Sequence, residues 1–283
     1  SLSIRWALLA SQAIGTSKAK NLLRSEDVNN TLICLKKLGI KISQNKNICS
    51  IKGRGLNGFI FKKNITLNAG NSGTLGRLIL SLLIKSPYKI KIVGDKSLSK
   101  RDFSRVIEPL KKIGVNFYPN SKSKLPIYIK GTNYLRPINY LEKRGSAQCK
   151  TCVMLASLNV PGVTKIIAKN SRDHTEKMFK SLKIPIKIRK SSNFDFITLS
   201  KPKILKKFDF NIPGDISSAS FFIVLTLLSK NSKIILKNIN INSTRIGVIK
   251  ILNMMGAKIK FENIKIINGE RCSDIKVKSI NNF

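Results

Sequence analysis

Residues 70–77, Gly-Asn-Ser-Gly-Thr-Leu-Gly-Arg, combine small residues, hydroxyl groups and an arginine immediately before an apolar run. If a helix begins here, its first N–H groups have no intrahelical partner, Gly73 permits close approach of a ligand and Arg77 adds positive charge. This combination suits an oxyanion such as a phosphate or a carboxylate. The segment lacks the Gly-Lys-Ser/Thr end of a nucleotide-binding P-loop and the spacing of a dinucleotide fingerprint. It therefore predicts an anion site of another type.

Three other short polar clusters lead into apolar runs in the same way. The four leading serines, spaced by 69, 74 and 71 residues, are Ser3, Ser72, Ser146 and Ser217. One such cluster alone could serve only to cap a helix, because serine is a favoured N-cap residue. The regular spacing instead indicates a unit of about 70 residues that occurs four times.

A second marker, an amphipathic segment that ends in an apolar residue and a helix-ending residue, keeps the same period. The four ending residues, spaced by 75, 71 and 71 residues, are Gly39, Gly114, Pro185 and Gly256. Apolar residues recur at helical intervals ahead of them, and β-branched runs such as residues 257–259 follow. Each unit is thus predicted to contain a buried helix, one or two strands, an amphipathic helix and a further strand pair. This pattern predicts an α/β fold packed around a shared core.

The 53 Lys and Arg residues outnumber the 14 Asp and Glu residues, which gives a formal net charge of +39. Such a charge first suggests a nucleic acid or an anionic membrane as partner. The lysines are, however, scattered among Ile and Asn along the whole chain, and aromatic residues make up only 7%. Because neither a basic block nor a base-stacking platform is evident, most of the charge is interpreted as a solvated surface.

The five cysteines do not suggest a disulfide framework in a chain of 283 residues. Cys149 and Cys152 lack the second pair that would complete a zinc site. The longest apolar runs are too short to cross a bilayer. These features favour a reducing, cytoplasmic location and predict neither a metal site nor a transmembrane helix.

Several further strings accompany residues 70–77 in a fixed order. They are residues 23–27 (Leu-Arg-Ser-Glu-Asp), 94–101 (Gly-Asp-Lys-Ser-Leu-Ser-Lys-Arg), 146–148 (Ser-Ala-Gln), 171–177 (Ser-Arg-Asp-His-Thr-Glu-Lys), 213–219 and 242–247. In this order and spacing they resemble the enolpyruvyl transferase family, and the resemblance extends from residue 1 to about residue 276. A single string would be weak evidence, whereas several in register are strong.

The resemblance implies an inside-out α/β barrel, with helices inside and sheets outside each domain. It also implies a transferase that moves the enolpyruvyl group of phosphoenolpyruvate to the 5-hydroxyl of shikimate 3-phosphate, releasing phosphate, in chorismate and aromatic amino acid biosynthesis. The implied partners are these two substrates only, without nucleic acid, membrane, metal or organic cofactor, and the implied full-length state is a monomer.

Two groups of ligand-binding residues follow from the resemblance. For shikimate 3-phosphate it implies Ser1, Arg5, Ser146, Ala147, Gln148 and Arg172. For phosphoenolpyruvate it implies Gly73, Arg101 and Gln148, with Asn71, Thr74 and Arg77 supporting that loop. His174 lies where the family has a structural Asp-His pair.

The sequence also departs from the family pattern. The family's first motif opens with a lysine ahead of the position of Ser1, and its acid–base carboxylate and further phosphoenolpyruvate motifs have no counterpart after Gly256. The family has six units, whereas four are recognised here. We therefore predict a fragment, with residues 1–208 as the first domain of three units, on the shikimate-phosphate side, and residues 209–283 as the opening unit of a second. No catalytic residue is assigned within the chain, which alone is expected to be inactive.

Three alternatives stay open. A UDP-N-acetylglucosamine enolpyruvyl transferase would share the fold, but it needs a reactive cysteine in a mobile loop, and none of the five cysteines has that context. A basic nucleic-acid-binding protein would account for the charge and would bind with a steep salt dependence. A folded, non-catalytic remnant is the third.

Overall fold

The computed structural model describes residues 2–120 and 123–280. Its contacts divide the chain into two compact units. Unit 1 contains residues 1–171 and 182–210, and unit 2 contains residues 172–181 and 211–283. Each unit has its own sheet structure and its own core.

The order of helices and strands confirms the fourfold repeat predicted from the sequence. The first repeat contains α1 (Leu2–Ser11), β1 (Ile14–Lys20), α2 (Glu26–Lys37), β2 (Lys41–Asn45) and β3 (Ile48–Arg54). The second contains β4 (Thr66–Asn68), α3 (Gly73–Leu82), β5 (Ile90–Val93), α4 (Lys96–Ser99), α5 (Ser104–Ile113), β6 (Asn116–Tyr118) and β7 (Ile127–Lys130).

The last two repeats follow the same order. The third contains β8 (Asn139–Glu142), α6 (Ala147–Ser157), β9 (Val163–Lys169), α7 (His174–Ser181), β10 (Ile186–Lys190) and β11 (Phe194–Ser200). The fourth contains β12 (Phe210–Asn211), α8 (Ile216–Leu228), β13 (Lys233–Asn240), α9 (Gly247–Met254), β14 (Lys260–Ile267) and β15 (Glu270–Lys278). The sequence did not predict the short helix α4.

The sheets of unit 1 have the strand orders β12-β1-β3-β2, β4-β5-β7-β6 and β8-β9-β11-β10. In the second and third sheets, the strand ahead of the buried helix pairs in parallel with the strand after it. In the first sheet the corresponding place beside β1 is taken by the end of unit 1. The Ile14 N–H donates to the Leu205 carbonyl at 2.7 Å, and the Lys207 N–H donates to the Ile14 carbonyl at 3.0 Å. The last segment of unit 1 thus completes its first sheet.

The core of unit 1 is built around the helices α1, α3 and α6. Every residue of α1 is buried, and Trp6 has no exposed surface. Helix α3 packs against both α1 and α6. Helices that are apolar on nearly all sides are stable only inside a protein, so their polar first turns are the parts left to face a ligand.

The residues that end the amphipathic helices have the expected backbone conformation. Gly39, Gly114 and Gly256 have φ angles of +83°, +116° and +95°, in the left-handed region where glycine commonly ends a helix. In the third repeat this position is Pro185, whose ring fixes a negative φ. There Lys183, two residues earlier, takes the left-handed conformation with φ of +55°.

In unit 2, the helices α8 and α9 pack on the sheet β13-β15-β14. Helix α7 is held by buried polar contacts. His174 Nδ1 lies 2.6 Å from Glu270 Oε1, and Asn242 Nδ2 donates to Asp173 Oδ1 at 2.7 Å and to Glu270 Oε2 at 3.1 Å. Because of these contacts, residues 172–181 group with unit 2, although the predicted division after residue 208 assigned them to the first domain.

No helix within residues 2–120 or 123–280 could span a bilayer, since none is both long and apolar enough.

Candidate functional site

The N-terminus of α3 carries the anion site predicted from residues 70–77. Ser72 caps the helix, because its hydroxyl accepts the Leu75 N–H at 3.2 Å. A Cβ atom at Gly73 would lie 2.9 Å from Arg77 Nη1 and 3.1 Å from Arg101 Nη1. Two guanidinium groups therefore converge where a side chain at Gly73 would begin, and a larger residue there would displace their ends.

Gln148 joins the N-terminus of α6 to that of α3. Its Oε1 accepts from Arg77 Nη1 at 3.1 Å, and its Nε2 donates to Thr74 Oγ1 at 3.1 Å. The two contacts use both ends of the amide, so they fix its orientation. Gly73 and Gln148, predicted for phosphoenolpyruvate, are thus in one cluster with Thr74 and Arg77, predicted to support the loop. Arg101 reaches the cluster beside Gly73.

Arg77 is held in place by neighbours other than carboxylates. Its Nη2 donates to the Asp102 carbonyl at 3.1 Å, and its guanidinium lies 4.9 Å from the centre of the Phe103 ring. Burial lowers the pKa of Arg77, and the positive charges of Arg101 and Arg105 lower it further. An arginine remains charged under such shifts, so the cluster concentrates positive charge that an anion would stabilise.

The predicted shikimate-phosphate residues of unit 1 lie along α1 and α6. Arg5 is 3% exposed, and its Nη2 donates to Thr151 Oγ1 at 3.2 Å. Thr151 follows Ala147 by one helical turn. Ser146 caps α6 by accepting the Cys149 N–H at 3.3 Å. Ser1 lies outside the described residues.

Asn71 supports the loop that carries Arg101 and does not join the cluster. Its Nδ2 donates to Asp95 Oδ2 at 2.6 Å, while Asp95 Oδ1 caps α4 by accepting the Leu98 N–H at 2.6 Å. These two hydrogen bonds hold the pKa of Asp95 below its usual range. The sequence analysis did not single out Asp95, although an aspartate that precedes a short helical run is a recognisable cap.

Arg172 belongs to unit 2, where it forms a second arginine group. Burial lowers its pKa, and the charge of Arg245 lowers it further. Arg245 Nη2 donates to Asp215 Oδ1 at 2.8 Å and to Ser217 Oγ at 2.5 Å, at the start of α8. The role of Arg172 in binding shikimate 3-phosphate together with residues of unit 1 stays a prediction.

The cysteines have the environment of structural rather than reactive thiols. All five are buried and form no disulfide. Burial raises the pKa of Cys34, Cys49 and Cys272 to about 11 each and raises that of Cys152 further. A nucleophilic cysteine needs a lowered pKa and access to solvent, so these four thiols do not favour the cell-wall enolpyruvyl transferase alternative. The described residues contain no group of three or more His, Cys, Asp or Glu side chains that could hold a metal ion.

Comparisons with known proteins identify the family. The family model of EPSP synthase (3-phosphoshikimate 1-carboxyvinyltransferase) matches residues 1–282. The chain is 40% identical to the 3-phosphoshikimate 1-carboxyvinyltransferase of Petrotoga mobilis over 99% of its own length and 64% of the relative's. It is 42% identical to that of Ruthia magnifica, over 99% and 63% of the two chains.

A solved structure matches over a similar share of the chain. EPSP synthase from Acinetobacter baumannii matches with a TM-score of 0.87 and 33% identity, over 98% of this chain and 62% of that one. The chain thus spans less than two thirds of the length of these relatives. Its repeats, its fold and its matched length together show that the chain belongs to the EPSP synthase family.

Proposed function

We propose that this chain binds shikimate 3-phosphate and phosphoenolpyruvate for transfer of the enolpyruvyl group from the second to the first. The observation that supports this most directly is the cluster of Gly73, Arg77, Arg101 and Gln148 at two adjoining helix N-termini. Gly73, Arg101 and Gln148, which the family resemblance assigned to phosphoenolpyruvate, all lie in this cluster, although they are up to 75 positions apart in sequence.

The proposed reaction is an addition followed by an elimination. The 5-hydroxyl oxygen of shikimate 3-phosphate bonds to C2 of phosphoenolpyruvate as the hydroxyl proton is lost and the methylene carbon gains a proton. The C2–O bond to phosphate then breaks, the former methylene carbon loses a proton, and inorganic phosphate leaves. Two phosphates and two carboxylates must lie close together in this reaction, so convergent arginines and helix N-termini are needed to hold them.

Unit 1 offers a separate position for each substrate. Arg77 and Arg101, whose planar guanidinium groups converge beside Gly73, fit the phosphate or carboxylate of phosphoenolpyruvate. The first N–H groups of α6 belong to Ala147 and Gln148, and a helix N-terminus fits the phosphate of shikimate 3-phosphate. We propose a monomeric, cytoplasmic enzyme without a metal or organic cofactor, and buried reduced cysteines fit a reducing compartment.

Binding without turnover is the result we expect from the purified chain. Shikimate 3-phosphate should bind in a calorimetric titration and raise the melting temperature, because it binds only the folded state. Phosphate release from both substrates should stay at background, since no residue of this chain is assigned as the acid–base group. Release at an ordinary enzyme rate would contradict the second expectation. RNA binding that weakens steeply with salt, with no thermal shift from shikimate 3-phosphate, would favour the nucleic-acid alternative.

We also propose that unit 2 is one repeat of a larger domain, as the predicted division at residues 208 and 209 implies. Helix α8 contains no charged residue. One side packs on the sheet, while the opposite side leaves Phe221, Phe222, Leu225 and Leu228 between 55% and 78% exposed. At about 200 Å² for each Phe side chain, the two phenylalanines alone leave roughly 270 Å² in water. An apolar surface of this kind is typical of an interface, and further repeats like those around α1, α3 and α6 would cover it.

Thiol labelling can test this coverage, because the native cysteines are buried. Leu225→Cys should react quickly in the chain alone. It should react about 100-fold more slowly when the part of the Petrotoga mobilis relative that this chain does not match is fused to the chain, since labelling then requires local opening. Ile266→Cys, on β14, replaces a residue that is 78% exposed and should react equally in both proteins. Equal rates for Leu225→Cys in both proteins would contradict the proposal. It would also be contradicted if labelling of the unfused chain slowed as the concentration of that chain rose.

A further inference from the structure

The carboxylate of Glu142 is buried beneath the turn that leads into α6. Glu142 is the last residue of β8 and is 3% exposed. Its Oε2 accepts the Ser146 N–H at 2.8 Å, and its Oε1 accepts the Arg144 N–H at 3.2 Å and Arg105 Nη2 at 3.0 Å. Gly145, with φ of +69°, lets the chain curl between these donors. The turn is therefore wound around one carboxylate.

Such a carboxylate fixes the position of the helix that follows. Burial of a charge is costly unless several charge-assisted hydrogen bonds compensate it, and here three donors do so. One of them is the backbone of Ser146, whose hydroxyl in turn caps α6 through the Cys149 N–H. The carboxylate and the cap together fix the residue that precedes Ala147 and Gln148.

The negative charge of Glu142 would by itself oppose an anion at this helix N-terminus, because both would compete for the positive end of the dipole. Arg105, on α5, pairs with it and cancels that charge. A cavity of about 410 Å³, lined in part by Arg105, Glu108 and Glu142, lies beside the pair. The Arg105 side chain is 35% exposed, so solvent reaches one side of the pair.

We propose that Glu142 is a positioning residue of the anion site, which holds the Ser146 N–H and thereby aims the N-terminus of α6 at the phosphate of shikimate 3-phosphate. Arg105 makes this possible by neutralising the carboxylate. The inference rests on the proposed function, because the ligand is the one proposed for Ser146, Ala147 and Gln148.

Calorimetric titration of the full chain with shikimate 3-phosphate tests the positioning role. Glu142→Ala should weaken the affinity by about 10- to 100-fold, since a small displacement of a binding group has effects of this size. Glu142→Gln keeps one acceptor oxygen for Ser146 and should recover part of the loss. Glu108→Ala removes the same charge from an exposed position on α5 and should leave the affinity unchanged. Hydrogen exchange of residues 143–148 should accelerate in Glu142→Ala only.

A second pair of variants tests the charge balance. Arg105→Met leaves the carboxylate uncompensated in front of α6, so the affinity should fall by about tenfold at low salt. Adding Glu142→Gln to Arg105→Met removes that charge, and the double variant should bind more tightly than Arg105→Met alone. A merely structural role predicts the opposite order, because the second change removes one more contact. This comparison decides the question even if Glu142→Ala does not fold.

The outcomes separate this inference from the proposed function. A wild-type chain that does not bind shikimate 3-phosphate would refute the proposed function itself. A wild-type chain that binds, together with undiminished binding by Glu142→Ala or an equal loss in Glu108→Ala, would overturn only the role of Glu142. A double variant that binds no better than Arg105→Met would overturn the role of Arg105.

Discussion

Replacement of Gln148 by glutamate is expected to reduce shikimate 3-phosphate binding by about 100-fold, which corresponds to about 2.8 kcal/mol. The new carboxylate would lie at the N-terminus of α6 and within 3.1 Å of Arg77 Nη1, where the amide oxygen now lies. It would pair with the Arg77 guanidinium, and its charge would oppose the phosphate that is proposed to bind the first N–H groups of α6. An acidic residue in the first turn of a helix is favourable, so the melting temperature should stay the same or rise.

The opposite signs of these two effects make Gln148→Glu informative. Calorimetric titration measures the loss of affinity, and thermal unfolding without ligand measures the stability. Gln44→Glu, an exposed position on β2, adds the same charge away from the cluster and should bind as the wild type does. Retained affinity in Gln148→Glu, or a loss of affinity that accompanies a lower melting temperature, would argue against an anion site at this cluster.

Replacement of Glu270 by alanine is expected to destabilise unit 2 by about 3 kcal/mol, because removal of one partner leaves a buried polar network uncompensated. Glu270 accepts from Asn240 Nδ2 at 3.0 Å and from Asn242 Nδ2 at 3.1 Å and contacts His174 at 2.6 Å. Helix α7 should loosen first, since these contacts attach it. Denaturant unfolding and hydrogen exchange of residues 172–181 measure both effects.

Glu262→Ala is a matched control on the same sheet. Glu262 pairs with Lys276 at 3.3 Å, but both side chains are more than a third exposed, so its removal should cost less than about 0.5 kcal/mol. Equal destabilisation by the two substitutions would contradict a special role of the network around Glu270.

The same network predicts a dependence of stability on pH. Burial would raise the pKa of Glu270, but the His174 hydrogen bond and charge, with Asn240 and Lys177, outweigh it and hold the pKa below the ordinary 4.5. A group whose pKa is lowered on folding stabilises the protein above its unfolded pKa, and this contribution is lost as the pH falls through the folded pKa. Acid titration of the chain should therefore show a loss of stability in unit 2 below about pH 4.5, and Glu270→Ala should lack this loss.

The fold could be predicted from the sequence largely because each repeat carries its own local signals. The apolar periodicity of α2 and α5 and the glycines after them depend only on neighbouring residues. The placement of α7 could not be read in this way. It follows from pairing between His174 and Glu270, which lie 96 residues apart, and a period of about 70 residues assigns α7 to the third repeat.

The residues of the candidate site that lie at a helix N-terminus could be predicted from the local sequence. Contacts between side chains that are distant in sequence could not. Gly73 and Arg77 could be singled out from a polar segment before an apolar run. The contact between Gln148 and Thr74 was not predicted, since no local rule links the two residues. Glu142 gives no signal, because an acidic residue at a strand end is usually solvated, and only the three donors around it show its role.

The hydrogen bonds that join Ile14 to Leu205 and Lys207 also set an order of events during synthesis. The first sheet has an open edge until a segment about 190 residues later leaves the ribosome, and at roughly 5–20 residues per second this takes about 10–40 s. Unpaired strand edges are templates for wrong pairing, so the nascent chain is exposed to mispairing at this edge during the interval. The last segment of unit 1 is therefore the one that closes this edge of its first sheet.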